Sequence, residues 1–109
     1  MELRELTAEM NQFVASQGWY DPDTPKVQSE RNLAVSLSIE AAEVLEHYQW
    51  REGDVDLDAL GGELADVLLY LLQLAHTAGI DLESAALAKL KQNYGRTWDE
   101  RKDRRETGG

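Results

Sequence analysis

Apolar residues recur along this 109-residue chain at the spacing of helix turns, with polar residues between them. Residues 2–17 carry Leu3, Leu6, Met10, Phe13 and Val14 on one stripe, and Gly18 ends that helix. The segment from Trp19 to Lys26 holds both prolines, Pro22 and Pro25, and reads as an ordered loop. Ser29 caps a second helix over about 30–50, where Leu33, Leu37, Val44 and Tyr48 keep the helical period. After a short acidic turn around Gly53, Asp56 or Asp58 caps a third helix over about 58–77. Leu60, Leu64, Val67, Leu68, Leu71, Leu74 and Ala75 spread over most of its circumference, leaving a main polar stripe of Glu63, Asp66, Tyr70 and Gln73. Gly79 stops it, and Asp81 caps a fourth helix through about Tyr94, with Leu82, Ala85, Ala86, Ala88 and Leu90 as apolar positions. No strand or hairpin signal interrupts this order. The expected fold is all-α, a four-helix bundle.

A helix that is apolar almost all round is normally buried on several sides. In so short a chain a second subunit is expected to supply part of the cover for the third helix. Residues 1–98 read as a single helical domain. Residues 99–109 contain no apolar side chain and read as a charged, mobile tail.

Composition changes this picture in three places. The chain has no cysteine, which excludes disulfides, thiolate zinc sites and a cysteine nucleophile. It has no signal peptide and no apolar run long enough to cross a membrane, so a cytoplasmic protein is expected. Its formal net charge of −10 disfavours duplex nucleic acid, whose phosphates need a cationic surface. The same charge is compatible with a nucleotide that arrives with a divalent cation, because the cation reverses the local field.

The candidate chemistry lies in two short acidic pairs, Glu40-Ala41-Ala42-Glu43 and, after 19 intervening residues, Glu63-Leu64-Ala65-Asp66. Three-residue spacing points both carboxylates of a pair from one helix face. One such pair alone is commonly a solvated face. Two pairs on adjacent antiparallel helices, both beside apolar rows, bring four carboxylates together near a core, where they repel one another and raise their own pKa values. A shared cation removes that penalty. All-oxygen ligands favour Mg²⁺, or Mn²⁺, over zinc or copper. A di-iron bundle would need Glu-x-x-His motifs, and neither His47 nor His76 follows a glutamate by three. His47, one turn beyond Glu43, is either a ligand or base, or a rim histidine accepting a hydrogen bond. His76 reads as a partner for the C-terminal helix dipole. Gly61-Gly62 lacks the lysine of a phosphate-binding loop, and no serine has a His and Asp arrangement nearby.

The run Glu-Arg-Asn-Leu-Ala-Val-Ser-Leu-Ser-Ile-Glu-Ala-Ala-Glu-Val-Leu-Glu-His-Tyr-Gln-Trp at 30–50, followed by Glu-Leu-Ala-Asp-Val-Leu-Leu-Tyr-Leu at 63–71, resembles the MazG-type all-α nucleoside triphosphate pyrophosphohydrolases. Within them the chain is most similar to the short dCTP pyrophosphatase branch, from about Trp19 to Asn93. The resemblance implies Glu40, Glu43, Glu63 and Asp66 as ligands of Mg²⁺ on a triphosphate. It implies Trp19, Trp50 and Tyr70 as pocket residues for base and sugar, and Lys89 and Asn93 as fourth-helix residues near the nucleotide. It further implies a homodimer or homotetramer, and cleavage of a triphosphate to monophosphate and pyrophosphate. The parts themselves suit a metal-activated water attacking the α-phosphorus, with Glu43, or Glu40, left to orient it or take its proton. Two rival readings use the same residues differently. A non-enzymatic helical adaptor explains a bundle and an oligomer but not carboxylates beside a core. A metal-dependent phosphohydrolase of another phosphorylated metabolite keeps the site and changes the pocket.

Overall fold

The computed structural model describes residues 2–49 and 53–95, and within them the chain forms four α-helices and no strand. They are α1 (Leu3–Ser16), α2 (Glu30–Gln49), α3 (Leu57–Thr77) and α4 (Leu82–Tyr94). Trp50, Arg51, Glu52 and the whole 99–109 tail lie outside the described residues.

Each boundary has a local cause. The Ser29 hydroxyl accepts from the Asn32 N–H at 3.1 Å, capping α2, and the Asn32 amide reaches back to the Val27 carbonyl at 2.9 Å. Asp56, rather than Asp58, caps α3, because its carboxylate accepts from the Asp58 and Ala59 N–H groups, both at 3.1 Å. Asp81 caps α4 through the Ser84 N–H at 3.1 Å. At the other end of α3, Gly79 takes φ +73°. Its N–H donates to the His76 carbonyl at 3.1 Å and that of Ile80 to the Ala75 carbonyl at 2.8 Å, a Schellman ending that satisfies carbonyls the helix leaves free. Gly18 closes α1 in the same way at φ +76°.

The centre of the fold is α3. The second helix packs along it and α1 packs on its later turns. The two long helices run antiparallel: Gln28, just before α2, bonds Gln73 near the end of α3, while Glu43, far along α2, meets Glu63 early in α3. Met10 and Val14 from α1 and Leu72 from α3 form the buried cluster, with Leu3, Leu6, Trp19, Leu68 and Leu82 packed against it. Leu33 and Ala75 are also buried. Each such side chain, fully removed from water, contributes roughly 1.5–3 kcal/mol.

Two features depart from the hydrophobic pattern. Gln73, assigned to the polar stripe of α3, is buried, and Leu64 and Leu71, assigned to its apolar face, are substantially exposed. And α4 has no buried residue: Leu82 at its start touches the core, while Leu87, Leu90 and Tyr94 face outward, Tyr94 at 84% exposure.

Candidate metal centre

Helical spacing places Glu40 and Glu43 on the side of α2 that faces α3, and Glu63 on the first turns of α3 that face back. Glu40, Glu43 and Glu63 each offer a carboxylate oxygen, and these oxygens all lie within 4.8 Å of one another. One oxygen of Glu40 (Oε2) and one of Glu63 (Oε2) are buried without a hydrogen-bond partner. Leaving a buried acceptor unpaired costs about 1–3 kcal/mol, and more for a charged group.

The electrostatics follow from that crowding. Burial pushes the Glu40 carboxyl up to about 7, helped by a hydrogen bond with Glu43 and by the negative charges of Glu43, Asp66 and Glu63. Glu63 is raised as well, first by its hydrogen bond with Glu43, then by burial and the charges of Glu43 and Asp66, with His47 opposing. Glu43 is therefore the middle member, within hydrogen-bonding reach of both others. Asp66 adds charge to the cluster but is exposed and stands outside the three-carboxylate group. His47 faces Glu63 closely enough for its charged form to hold that carboxyl down.

A cation among these oxygens gives both orphaned atoms a partner and cancels the repulsion that raises Glu40 and Glu63. The donors are all carboxylate oxygens, which suit a hard divalent ion. The residues fit a metal.

The sequence pattern of the MazG-like family matches residues 35–109, a stretch that contains every one of these carboxylates. The chain belongs to the MazG-like family. It is 33% identical to dCTP pyrophosphatase 1 of Bos taurus, over 87% of this chain and 57% of that protein. Against dCTP pyrophosphatase 1 of Homo sapiens it is 35% identical, over 87% and 56% respectively. The chain thus spans a little over half the length of these curated relatives. A solved pyrophosphatase from Archaeoglobus fulgidus superposes with a TM-score of 0.67 at 36% identity, covering 84% of this chain and 87% of that one.

The remaining pocket candidates of this MazG-like chain are placed unevenly. Tyr70 shares the α3 face of Glu63 and Asp66, two turns on, and is half-buried. Trp19 packs on the α1–α3 core away from the carboxylates, edge-on to Phe13 with centroids 5.7 Å apart, and the Lys26 ammonium lies 3.6 Å over its ring. Lys89 and Asn93 are exposed on α4, where, among the described residues, the Lys89 ammonium hydrogen-bonds the Gln92 side chain at 3.5 Å. Within one protomer neither is brought to the cluster. Trp50 lies outside the described residues.

A second polar group was not anticipated. Gln73 donates to Gln28 Oε1 at 2.7 Å, Gln28 donates to the Lys26 carbonyl at 2.8 Å, and Tyr20 donates to Asn11. Burial pushes the Tyr20 phenol up, partly offset by its hydrogen bond with Gln73. Its one sequence signal was a glutamine between Leu72 and Leu74 in an otherwise apolar turn.

Proposed function

We propose that this chain is a Mg²⁺-dependent nucleotide pyrophosphohydrolase, converting a deoxynucleoside triphosphate, a pyrimidine such as dCTP, to the monophosphate and pyrophosphate. The observation that carries the reading is the trio Glu40, Glu43 and Glu63, with carboxylate oxygens within 4.8 Å of one another and one oxygen each of Glu40 and Glu63 buried and unpaired. Its relatives named dCTP pyrophosphatase 1 support the substrate class. Glu40, Glu43, Glu63 and Asp66 would hold the ion; when bound, it supplies positive charge against the phosphates and favours ionisation of a nearby water.

The chain's own groups do the rest. Glu43, with a carboxylate oxygen within 4.8 Å of those of Glu40 and Glu63, would orient a water and take its proton. The water oxygen bonds the α-phosphorus, the bond from that phosphorus to the α–β bridging oxygen breaks, and pyrophosphate departs with the electron pair. Tyr70 offers a ring for the sugar or base further along α3.

The active form in this reading is a homodimer or homotetramer. Leu57, Leu64 and Leu71 recur every seven residues on the outside of α3, and Leu87, Leu90 and Tyr94 form a matching exposed row on α4. A second copy covers both rows and gives Lys89 and Asn93 a route to a carboxylate cluster.

The test is incubation with a panel of nucleoside triphosphates and Mg²⁺, resolving pyrophosphate from phosphate, in ¹⁸O-labelled water. Pyrophosphate release with label in the monophosphate is expected. Release of inorganic phosphate and diphosphate would overturn the reading.

A further inference from the structure

The polar face of α3 continues past the carboxylates. At 100° per residue, Asp66, Tyr70 and Gln73 stay within about 80° of Glu63. Gln73 stands ten residues beyond Glu63, roughly 15 Å along the axis at 1.5 Å per residue. That is the length scale separating the terminal phosphates of an extended nucleotide from its base.

At that far end the structure gathers neutral hydrogen-bonding groups instead of charges. Gln73 is only 3% exposed, the buried polar side chain among the described residues, and it bonds Gln28 at 2.7 Å with Tyr20 beside it. Burial does not call for an amide there, since a buried amide costs free energy unless it stays hydrogen-bonded, whereas an apolar side chain does not. An amide puts a donor and an acceptor on one group, the combination that matches the edge of a nucleobase. The partners of Gln73, Gln28 and Tyr20, meet it through side chains, not backbone. An incoming base edge can therefore replace Gln28 without opening a helix or turn.

We infer that Gln73, with Gln28, is the base-discriminating end of the site, reading the hydrogen-bonding edge of a nucleobase whose phosphates lie at Glu40, Glu43 and Glu63. This rests on the triphosphate-cleaving function proposed above. A pocket built to hydrogen-bond its substrate discriminates strongly, because a mismatched base leaves the buried amide unpaired.

The experiment compares kcat/KM for dCTP, dTTP, dUTP, dATP and dGTP in the wild type, Gln73→Leu and Gln28→Ala. In the variants the ratio of best to worst base falls at least roughly tenfold, through a higher KM for the preferred nucleotide, because a hydrogen-bonded match has been lost. The rise in melting temperature on adding Mg²⁺ persists, which shows that the carboxylate end is intact. Should Gln73→Leu fail to fold, Gln28→Ala, at a half-buried loop position, gives the same reading. Folded variants that keep the wild-type ranking and ratio overturn the inference while leaving the hydrolysis reading standing. A wild type that cleaves all five equally overturns it too. A wild type that cleaves none removes the hydrolysis reading and this inference with it.

Discussion

Replacing Glu40 with glutamine separates the cost of the carboxylate cluster from its use. Glutamine keeps the shape and a donor toward Glu43 but removes the charge. In the folded wild type the Glu40 carboxyl is raised from 4.5 to about 7. Between those values the folded form holds a proton that the unfolded chain has released, so stability declines as pH rises through that window. The contribution is fully present below the unfolded value and lost above about 7. Glutamine mimics the protonated carboxyl at every pH. In EDTA at pH 8 the variant therefore melts above the wild type, and at pH 5 the two converge. Because the carboxyl is partly open to water, the gain is about 1 kcal/mol, well short of the full linkage value. That corresponds to about 4–8 °C in a small domain. Saturating Mg²⁺ reverses the order: at a hundred times its dissociation constant an ion adds about 2.7 kcal/mol to the wild type, and less to a variant missing one ligand. Glu46→Gln, which removes the same unit charge from an exposed position of α2, controls for net charge. Melting followed by far-UV circular dichroism reads all of this. A wild type at least as stable as Glu40→Gln at pH 8 in EDTA, or equal Mg²⁺ gains in both proteins, would refute the reasoning.

Glu63→Gln lowers Mg²⁺ affinity and turnover together, by more than the roughly 10–100-fold that loss of a mere supporting group costs a metal site; isothermal titration and steady-state kinetics check the pairing. Leu72→Ala, at a position 2% exposed in the core cluster, costs about 3 kcal/mol in urea unfolding, and a loss below about 1 kcal/mol contradicts the core described. Gly79→Ala forces an L side chain into φ +73° and costs about 1–2 kcal/mol, read in the same assay. Dilution couples dissociation to loss of helix, and a fully helical monomer sedimenting stably at micromolar concentration speaks against the oligomer.

The helices and their ends were legible because their causes are local. Ser29, Asp81, Gly18 and Gly79 act within a few residues of themselves, and the structure shows each acting. The choice between Asp56 and Asp58 needed the backbone, since only the residue in extended conformation presents its side chain to the first free N–H groups. Of the acidic pairs, the convergence of Glu40, Glu43 and Glu63 was readable, because three-residue spacing and a facing helix are properties of the pattern, whereas Asp66 stands outside the group. Gln73 was different. Its burial depends on Gln28, 45 residues away in sequence, and no helical periodicity reports such a partner. The surplus apolar surface of α3 was legible as needing cover from a second subunit, but which residues of α3 and α4 face outward was not, because periodicity does not report how the helices pack.

The bare fourth helix carries a consequence for dosage. Isolated helices shorter than about 12–15 residues are marginal in water, since the first turn fixes several residues for a single bond. At 13 residues with nothing buried, α4 has little beyond its Asp81 cap and one contact at Leu82 to hold it. Its amides belong to the fast end of hydrogen exchange in a lone protomer. Whatever docks on its outer row slows that exchange and completes the helix in one event. With a second copy as that cover, as proposed above, the amount of this protein in solution would act as a control variable in its own right, crowded chains folded to the last turn and sparse ones frayed there.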